Sequence, residues 1–555
     1  MREFKIWPWS VCCVLIALIA LVLLGSSYFK IEDKHEGFDY ADSITTEPTA
    51  PMVEHVYLIL VDGLRADTFD KMPFTKSLAD QGSSGIFTVP APTFSRPAYT
   101  RIITGACSSI NGISSNNQEK KLFAPTLFDL AEGEGLKAGL SAYRWYYDLL
   151  YGPPYRTGEE DENRLIRDRA PLKYGYFYDD FGGDYDDEEI FARGIEALAE
   201  DNPNFLLVHS MDVDEMGHRH GGISPEYLDA ALLNDRCIEE FVNQIPAPEE
   251  SVIIITGDHG HIDSGGHGGL EKEAAEVKVA FYGKGVAPGE LPDGYTQLDL
   301  APTIAALLGL PFTSYMEGRI VAEAFDWPAE TMAQKAALLG ETQRPLLREL
   351  GERFSAEPTD NDDGRALERL ARTVNRRWIA LRGALALVFL LAAFLWVRRL
   401  LRKRLYAGED VAERKRHLYI SLAATVLSLA VYSATLYLYG FGYSYSYINQ
   451  MSDLGRVPLA GLTAFAVFIA VLLLGRVNLR GFVAAGICLL GATVLIATAA
   501  GILQGGVKFL LPQVTFYMIY MLTLAQLVVY GLLCAITGVI MAPAERRRRK
   551  TAVGG

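Results

Sequence analysis

Hydrophobic and polar positions fall into distinct blocks along this chain. An uncharged run, Trp7–Gly25, opens it, and five more long apolar stretches come late: Ile379–Val397, Leu418–Tyr439, Pro458–Gly475, Gly481–Leu503 and Phe509–Met541. Each is long enough to cross the hydrocarbon core of a bilayer, for which a helix needs ~20 residues, so six membrane spans are predicted. Between the first run and the second, short apolar blocks end abruptly in polar clusters: VYLILV before Asp62, FLLVHS before a run of acids and histidines, and SVIIITG before Asp258. Buried strands that stop where such clusters begin predict an open α/β sheet with its chemistry at the carboxyl ends of the strands.

The connections between the spans set an orientation. RRLLRKRLYAGEDVAERKRH, GRVNLR and the tail ERRRRK are basic, whereas GFGYSYSYINQMSDLGRVP and QGGVKF hold one cation each. The positive-inside rule places the basic segments, and both termini, in the cytoplasm, with the long region after the first span outside the cell membrane. The expected organisation is an anchor (1–27), a linker (28–52), an extracytoplasmic catalytic domain (53–320), a helical connector (321–377) and a five-span domain with a basic tail (378–555). A cleaved signal peptide is the alternative for the first run, which is long for that role.

Composition sharpens this picture. The chain has a net charge of −15 and most of its acids lie between the first two runs. Such a surface repels anionic polymers, which argues against nucleic acid as a partner. Of the six cysteines only Cys107 and Cys237 lie outside the apolar runs, and two thiols leave pairing open.

The candidate chemistry is concentrated in Phe205–Leu270, which holds six of the nine histidines: His209, His218, His220, His259, His261 and His267. Asp214 and His218 are four apart, with Gly217 between them expected to allow an unusual backbone turn. Asp258 and His259 are adjacent, and His267 follows a Gly-rich loop. Charges buried at strand ends must be paired or bound to metal, and imidazole with carboxylate suits Zn²⁺, with Mn²⁺ as the competitor. Asp62, at the end of another strand and followed by Gly63, is a further ligand candidate. A helix is expected from Ser95, with Pro97 in its first turn. A hydroxyl there meets unsatisfied N–H groups and the positive end of the dipole. Ser95 reads either as a nucleophile or as the helix cap; Thr93 is the rival hydroxyl.

Taken in order, VDGLRADT, SRPAYTRIITG, DEMGH, GDHG, GGHGG and QLDLAPTIAALLGLP resemble the alkaline phosphatase superfamily. The resemblance is to the GPI ethanolamine phosphate transferases and the related type I phosphodiesterase/nucleotide pyrophosphatases, over about Val53–Gly318. It implies an alkaline-phosphatase-like sheet flanked by helices, and two divalent metal ions. One ion would be held by Asp62, Ser95, Asp258 and His259, the other by Asp214, His218 and His267. It also implies a nucleophile ten residues before Gly105, which selects Ser95, and a phosphate-binding Asn116 after the turn at NGI, where Asn111 stands in place of the usual His. His209 is expected to orient a ligand or to pack. His220, His261, Asp212 and Asp263 are expected behind the ligands or facing solvent. The aromatic residues Tyr143, Trp145, Tyr146 and Tyr147, and the run KYGYFYDDFGGDYDD, are expected to line a substrate groove or to pack.

The implied reaction is phosphoryl transfer through a phospho-serine. Five spans beyond the anchor are more than tethering needs. This favours a transferase that moves a phosphoethanolamine-like group from a phosphatidylethanolamine-like lipid to a glycan or glycolipid hydroxyl. The GPI transferases have many more spans than this chain. A phosphodiesterase acting on soluble substrates is the alternative, and an inactive scaffold or transporter a third; the spans lack central acidic residues of the kind that mark ion paths.

Overall fold

The computed structural model of the chain describes residues 7–31, 44–153, 155, 164–179, 185–355, 366–400, 410–448, 453, 455–504 and 514–553. Residues 32–43 of the expected linker, the interruption SAEPTDNDDG after Ser355, and parts of the loops between spans and of the KYGYFYDDFGGDYDD run lie outside the described residues. The chain divides into two compact units, a membrane unit (Met1–Asp33, Arg377–Gly506 and Gln513–Gly555) and a second unit (Lys34–Arg376 and Val507–Pro512).

The second unit is built on a ten-stranded sheet: β1 His55–Val61, β2 Ser83–Thr88, β3 Ala138–Tyr143, β4 Arg164–Arg169, β5 Leu172–Tyr178, β6 Phe205–Ser210, β7 Ser251–Gly257, β8 Glu276–Gly283, β9 Gly289–Glu290 and β10 Tyr295–Thr296. The order is β10-β2-β8-β7-β1-β6-β3-β5-β4, with β9 beside β2. Its centre, β7-β1-β6-β3-β5, is parallel, and β8 and β4 run antiparallel on either side.

Every residue of β1, β6 and β7 is buried, as continuous apolar strands of a parallel sheet should be. Alternate residues serve opposite faces. Leu58 and Leu60 of β1 join Val252 and Ile254 of β7 in one core, which the helices Ser95–Thr104 and Leu300–Leu308 cover with Tyr99, Ile102, Ile103 and Ile304. Tyr57, Ile59 and Val61 join Ile253 and Ile255 in the other, covered by Ile190 and Phe191 of Asp187–Glu200 and by Ile238 and Phe241 of Pro225–Asn243. Burying each such side chain contributes about 1.5–3 kcal/mol, so both faces anchor the strands that carry the site.

Residues 44–52, expected to be linker, are instead tied to this unit. Thr46 and Thr49 donate backbone N–H groups to Phe312 and Gly309 at 2.9 and 2.8 Å. The expected connector also packs here, because Met332 and Leu339 of the helix Ala329–Phe354 enter the first core and Leu346, Leu347 and Leu350 meet Ala106, Ile110 and Tyr315. Cys107 and Cys237 are both free.

In the membrane unit five helices are long and apolar enough to cross a bilayer among the described residues: Pro8–Ser26, Val411–Leu438, Arg456–Leu474, Leu479–Leu503 and Met518–Met541. The sixth expected run, Ile379–Val397, lies within the helix Ala366–Leu400, several of whose side chains are outside the described residues. Small residues bring the helices together: a Cβ at Gly531 would meet the Cys13 carbonyl at 2.8 Å, and one at Gly486 would meet Trp9 at 2.6 Å. One set of polar side chains inside the bundle is paired internally. The Ser428 hydroxyl lies 2.9 Å from Tyr530 Oη and Gln526 Nε2 donates to the same oxygen at 2.8 Å.

Candidate active site

Strand register brings the first ligands together. Val61 is paired with Ser210 on one side and with Gly257 on the other, so the chains leaving β1 and β7 begin side by side with Asp62 and Asp258. Gly63, at φ 70°, turns the first of them; a Cβ there would lie 2.8 Å from the Asp214 Cα. Its backbone N–H and that of His259 both donate to Asp258 Oδ1, at 3.0 and 2.8 Å. Gln297 donates a side-chain N–H to the Asp258 carbonyl, which ties the segment before Leu300–Leu308 to the site.

Asp214 and His218 lie on the helix Asp212–His220, which starts one residue beyond β6 after Met211. The expected unusual turn at Gly217 is absent: Gly217 is helical, and Asp214 and His218 meet on one face as an i, i+4 pair at 3.4 Å. Glycine is needed there for space, because a Cβ would lie 2.6 Å from the His261 ring.

All seven expected ligands converge. Asp62, Asp258 and His259 form one group, Asp214, His259 and His267 a second, and Asp214, His218 and His261 a third, the ligand atoms of each group lying within 4.8 Å of one another. His259 Nε2 is 3.3 Å from Asp62 Oδ1 and 3.6 Å from Asp258 Oδ2. His267 Nε2 is 3.0 Å from His218 Nε2 and 3.6 Å from Asp214 Oδ1. The far nitrogens of two rings face backbone carbonyls, His267 Nδ1 at 2.7 Å from Thr93 and His259 Nδ1 at 3.2 Å from Gly260. An N–H at Nδ1 leaves the Nε2 lone pair turned into the site, as in metal-ligating histidines.

Ser95 is the first residue of its helix and Phe94 occupies the cap position, so the serine hydroxyl is not spent on capping. It lies 3.0 Å from His259 Nε2 instead. Thr93 is committed elsewhere: its hydroxyl donates to the Gly269 carbonyl at 3.1 Å and accepts from the Gly268 N–H at 2.8 Å, bracing the loop that carries His267. Asn116 accepts the Arg96 N–H at 3.0 Å through Oδ1, which holds its amide beside Ser95. Asn111 closes the turn in place of a His, donating to the Ala106 carbonyl and accepting from the Ile113 N–H, each at 2.7 Å.

Two further histidines stand behind the ligands, and the structure supplies the carboxylate that each one faces. His261, expected behind the ligands or in solvent, is fully buried with Nε2 2.7 Å from Asp214 Oδ1. The Gly266 N–H donates to its Nδ1 at 3.0 Å, so the ring proton sits on Nε2 and is directed at Asp214. His209 faces Asp62 Oδ2 at 3.3 Å through Nε2 and Tyr146 Oη at 3.0 Å through Nδ1, with Tyr99 stacked on Tyr146. Tyr146, a candidate for the substrate groove, is therefore core. Asp263 pairs with Arg65 at 2.8 Å, and His220 is exposed.

The residues fit divalent metal. Both oxygens of Asp62 and Oδ2 of Asp258 are buried without a hydrogen-bond partner among the described residues, an arrangement that costs several kcal/mol unless a cation satisfies it. Burial, with the charges of Asp258 and Asp214, pushes the Asp62 carboxyl well up, and burial raises Asp258 to about 6. Burial also lowers His259 and His261 to about 4, keeping both rings neutral. At Asp214 burial works upward, but His218 and His261 together hold the carboxyl well below its ordinary value.

Residues 56–274 match the type I phosphodiesterase / nucleotide pyrophosphatase family. The GPI ethanolamine phosphate transferase 2 of Schizosaccharomyces pombe is 26% identical over 59% of this chain and 46% of its own length, and that of Candida albicans 22% identical over 58% and 38%. The chain thus spans less than half the length of these curated relatives. Among solved structures, alkaline phosphatase PafA is 14% identical, with a TM-score of 0.39 over 50% of this chain and all of the other. Residues 56–274 thus form a domain similar to the type I phosphodiesterase / nucleotide pyrophosphatase family, within a longer chain that resembles part of the GPI ethanolamine phosphate transferases.

Proposed function

We propose that this protein is a membrane-bound phosphotransferase that moves a phosphoethanolamine-like group from a lipid donor to a glycan or glycolipid hydroxyl. The observation that carries this reading is the Ser95 hydroxyl, uncapped at a helix start and 3.0 Å from His259 Nε2 amid Asp62, Asp258, Asp214 and His267. The named relatives support the group transferred, and the apolar helices support a donor in the bilayer.

Asp62, Asp258, His259 and Ser95 would hold one divalent ion, and Asp214, His218 and His267 a second, with Zn²⁺ preferred by the ligand types and Mn²⁺ next. Such ions supply Lewis acidity, which favours an ionised serine and neutralises charge on a phosphoryl group. Ser95 Oγ attacks phosphorus, the bond from phosphorus to the lipid glycerol oxygen breaks, and that oxygen takes up the proton the serine lost. An acceptor hydroxyl then attacks the phospho-serine; the bond to Ser95 breaks and the acceptor's proton returns to it. Asn116, with Oδ1 held by Arg96, has its Nδ2 left to donate to a phosphoryl oxygen.

Hydrolysis shares the first half of this sequence and differs only in water as acceptor; the match to a phosphodiesterase family supports it as the second reading. The assembled ligand set argues against an inactive scaffold. Mass spectrometry of the host's lipids and glycans, with and without the gene, tests the choice. A phosphoethanolamine mass lost from a glycan or glycolipid is expected; an unchanged glycan profile with accumulated soluble phosphodiesters would replace the transferase with a hydrolase.

A further inference from the structure

The membrane unit contains an apolar groove of about 450 Å³ between the helices Trp7–Ile31, Leu479–Gln504 and Val514–Val553. Its volume lies within the range of about 300–1,000 Å³ typical of small-molecule sites. Ile16, Ala20, Ala497 and Leu524 form its floor and walls, and small side chains at Ala20, Ala497 and Gly501 create the space. Leu23, Ile502 and Tyr520 border one end. They lie at the helix ends that the basic loops assign to the outer side of the membrane.

A cation sits at that same end. Arg382, on the helix Ala366–Leu400, donates to the Ile502 carbonyl at 2.9 Å and lies over the Trp378 ring at 5.5 Å. Among the described residues no carboxylate pairs with it. Arg382 is the fourth residue of the expected span Ile379–Val397, and a guanidinium at the end of a span is stable where it reaches the interface; its remaining donors match the oxygens of a phosphate. An apolar slot running from the middle of the span to a carboxylate-free arginine has the polarity of a lipid with an anionic group at its neck.

We propose that this groove binds a glycerophospholipid of the outer leaflet, one acyl chain lying between Ile16, Ala497 and Leu524 and the phosphate against Arg382. The site deepens the transferase reading, on which it rests for the role of that lipid as donor. Charge selects the occupant: diacylglycerol offers the same chains and no phosphate.

The test reads binding, without turnover, in the full-length protein in detergent. Photoactivatable phosphatidylethanolamine and diacylglycerol with the same chains are cross-linked and the adducts mapped. Adducts are expected on peptides containing Ile16, Ala497 or Tyr520, with phosphatidylethanolamine labelling at least tenfold more than diacylglycerol. Arg382→Gln should abolish that preference, and Ala497→Trp should lower labelling by both lipids at least tenfold. Arg382→Gln alters a partly exposed side chain and tests the phosphate contact even if Ala497→Trp does not fold. Equal labelling by the two lipids in the unmodified protein, or adducts that avoid these peptides, would overturn the proposal. Groove labelling in a host whose glycans prove unchanged would leave the lipid site standing and remove only the transferase reading.

Discussion

His261 Nε2 lies 2.7 Å from Asp214 Oδ1, and the Gly266 N–H, which donates to the opposite nitrogen of the same ring, directs the imidazole proton at that carboxylate. One oxygen of Asp214 is thereby oriented by a donor while Oδ2 faces His218 at 3.4 Å. Losing a donor that orients a metal-ligating carboxylate typically costs about 10–100-fold in metal affinity. His261→Ala should therefore weaken binding of one of the two proposed ions by that factor, read by metal titration of the purified protein. Unchanged stoichiometry and affinity would show that Asp214 is positioned by its helix alone.

Ser95 and Thr93 should separate cleanly. Ser95→Ala removes the proposed nucleophile but none of the carboxylates or imidazoles, so turnover should collapse while most bound metal is kept. Thr93→Ala takes the hydroxyl acceptor from the buried Gly268 N–H, at a cost of about 1–3 kcal/mol. It should lower thermal stability and loosen the His267 loop with partial activity retained. Phosphate trapped on Thr93 would contradict the assignment.

Glu317 offers a pH test away from the metal ligands. Burial pushes its carboxyl up to about 7 from an ordinary 4.5, although it accepts the Cys107 N–H at 2.5 Å. The folded state then holds more protons than the unfolded state between those values, so this residue makes stability fall as pH rises from about 4.5 to 7. Glu317→Gln should remove that slope, giving a larger gain in thermal stability at pH 8 than at pH 5. An equal effect at both pH values would mean that the carboxyl is not raised.

Membrane orientation is testable independently of chemistry. Reporters fused at Gly408 and Gly442 should lie on opposite sides of the membrane, with Gly408 cytoplasmic. Finding both on one side would overturn the six-span arrangement.

Local patterns in the sequence were enough for three central strands, the ends at which the chemistry gathers, and the ligand candidates, but not for the strands that flank them. Strands β1, β6 and β7 are continuous apolar runs, and Asp62 and Asp258 follow them directly, so periodicity and position along the chain determine both. The helix beginning at Ser95 was also legible, through Pro97. Space and proton placement were not. Gly217 was read as a turn, but it is helical and small because a ring from 44 residues further along the chain packs on it. His261 and His209 could be assigned to Asp214 and Asp62 only after the sheet had set β1, β6 and β7 in register. Which nitrogen of a histidine carries the proton depends on the donor or acceptor facing its other side. For His261 and His267 those groups are the Gly266 N–H and the Thr93 carbonyl, and for His267 the partner comes from a segment 174 residues away.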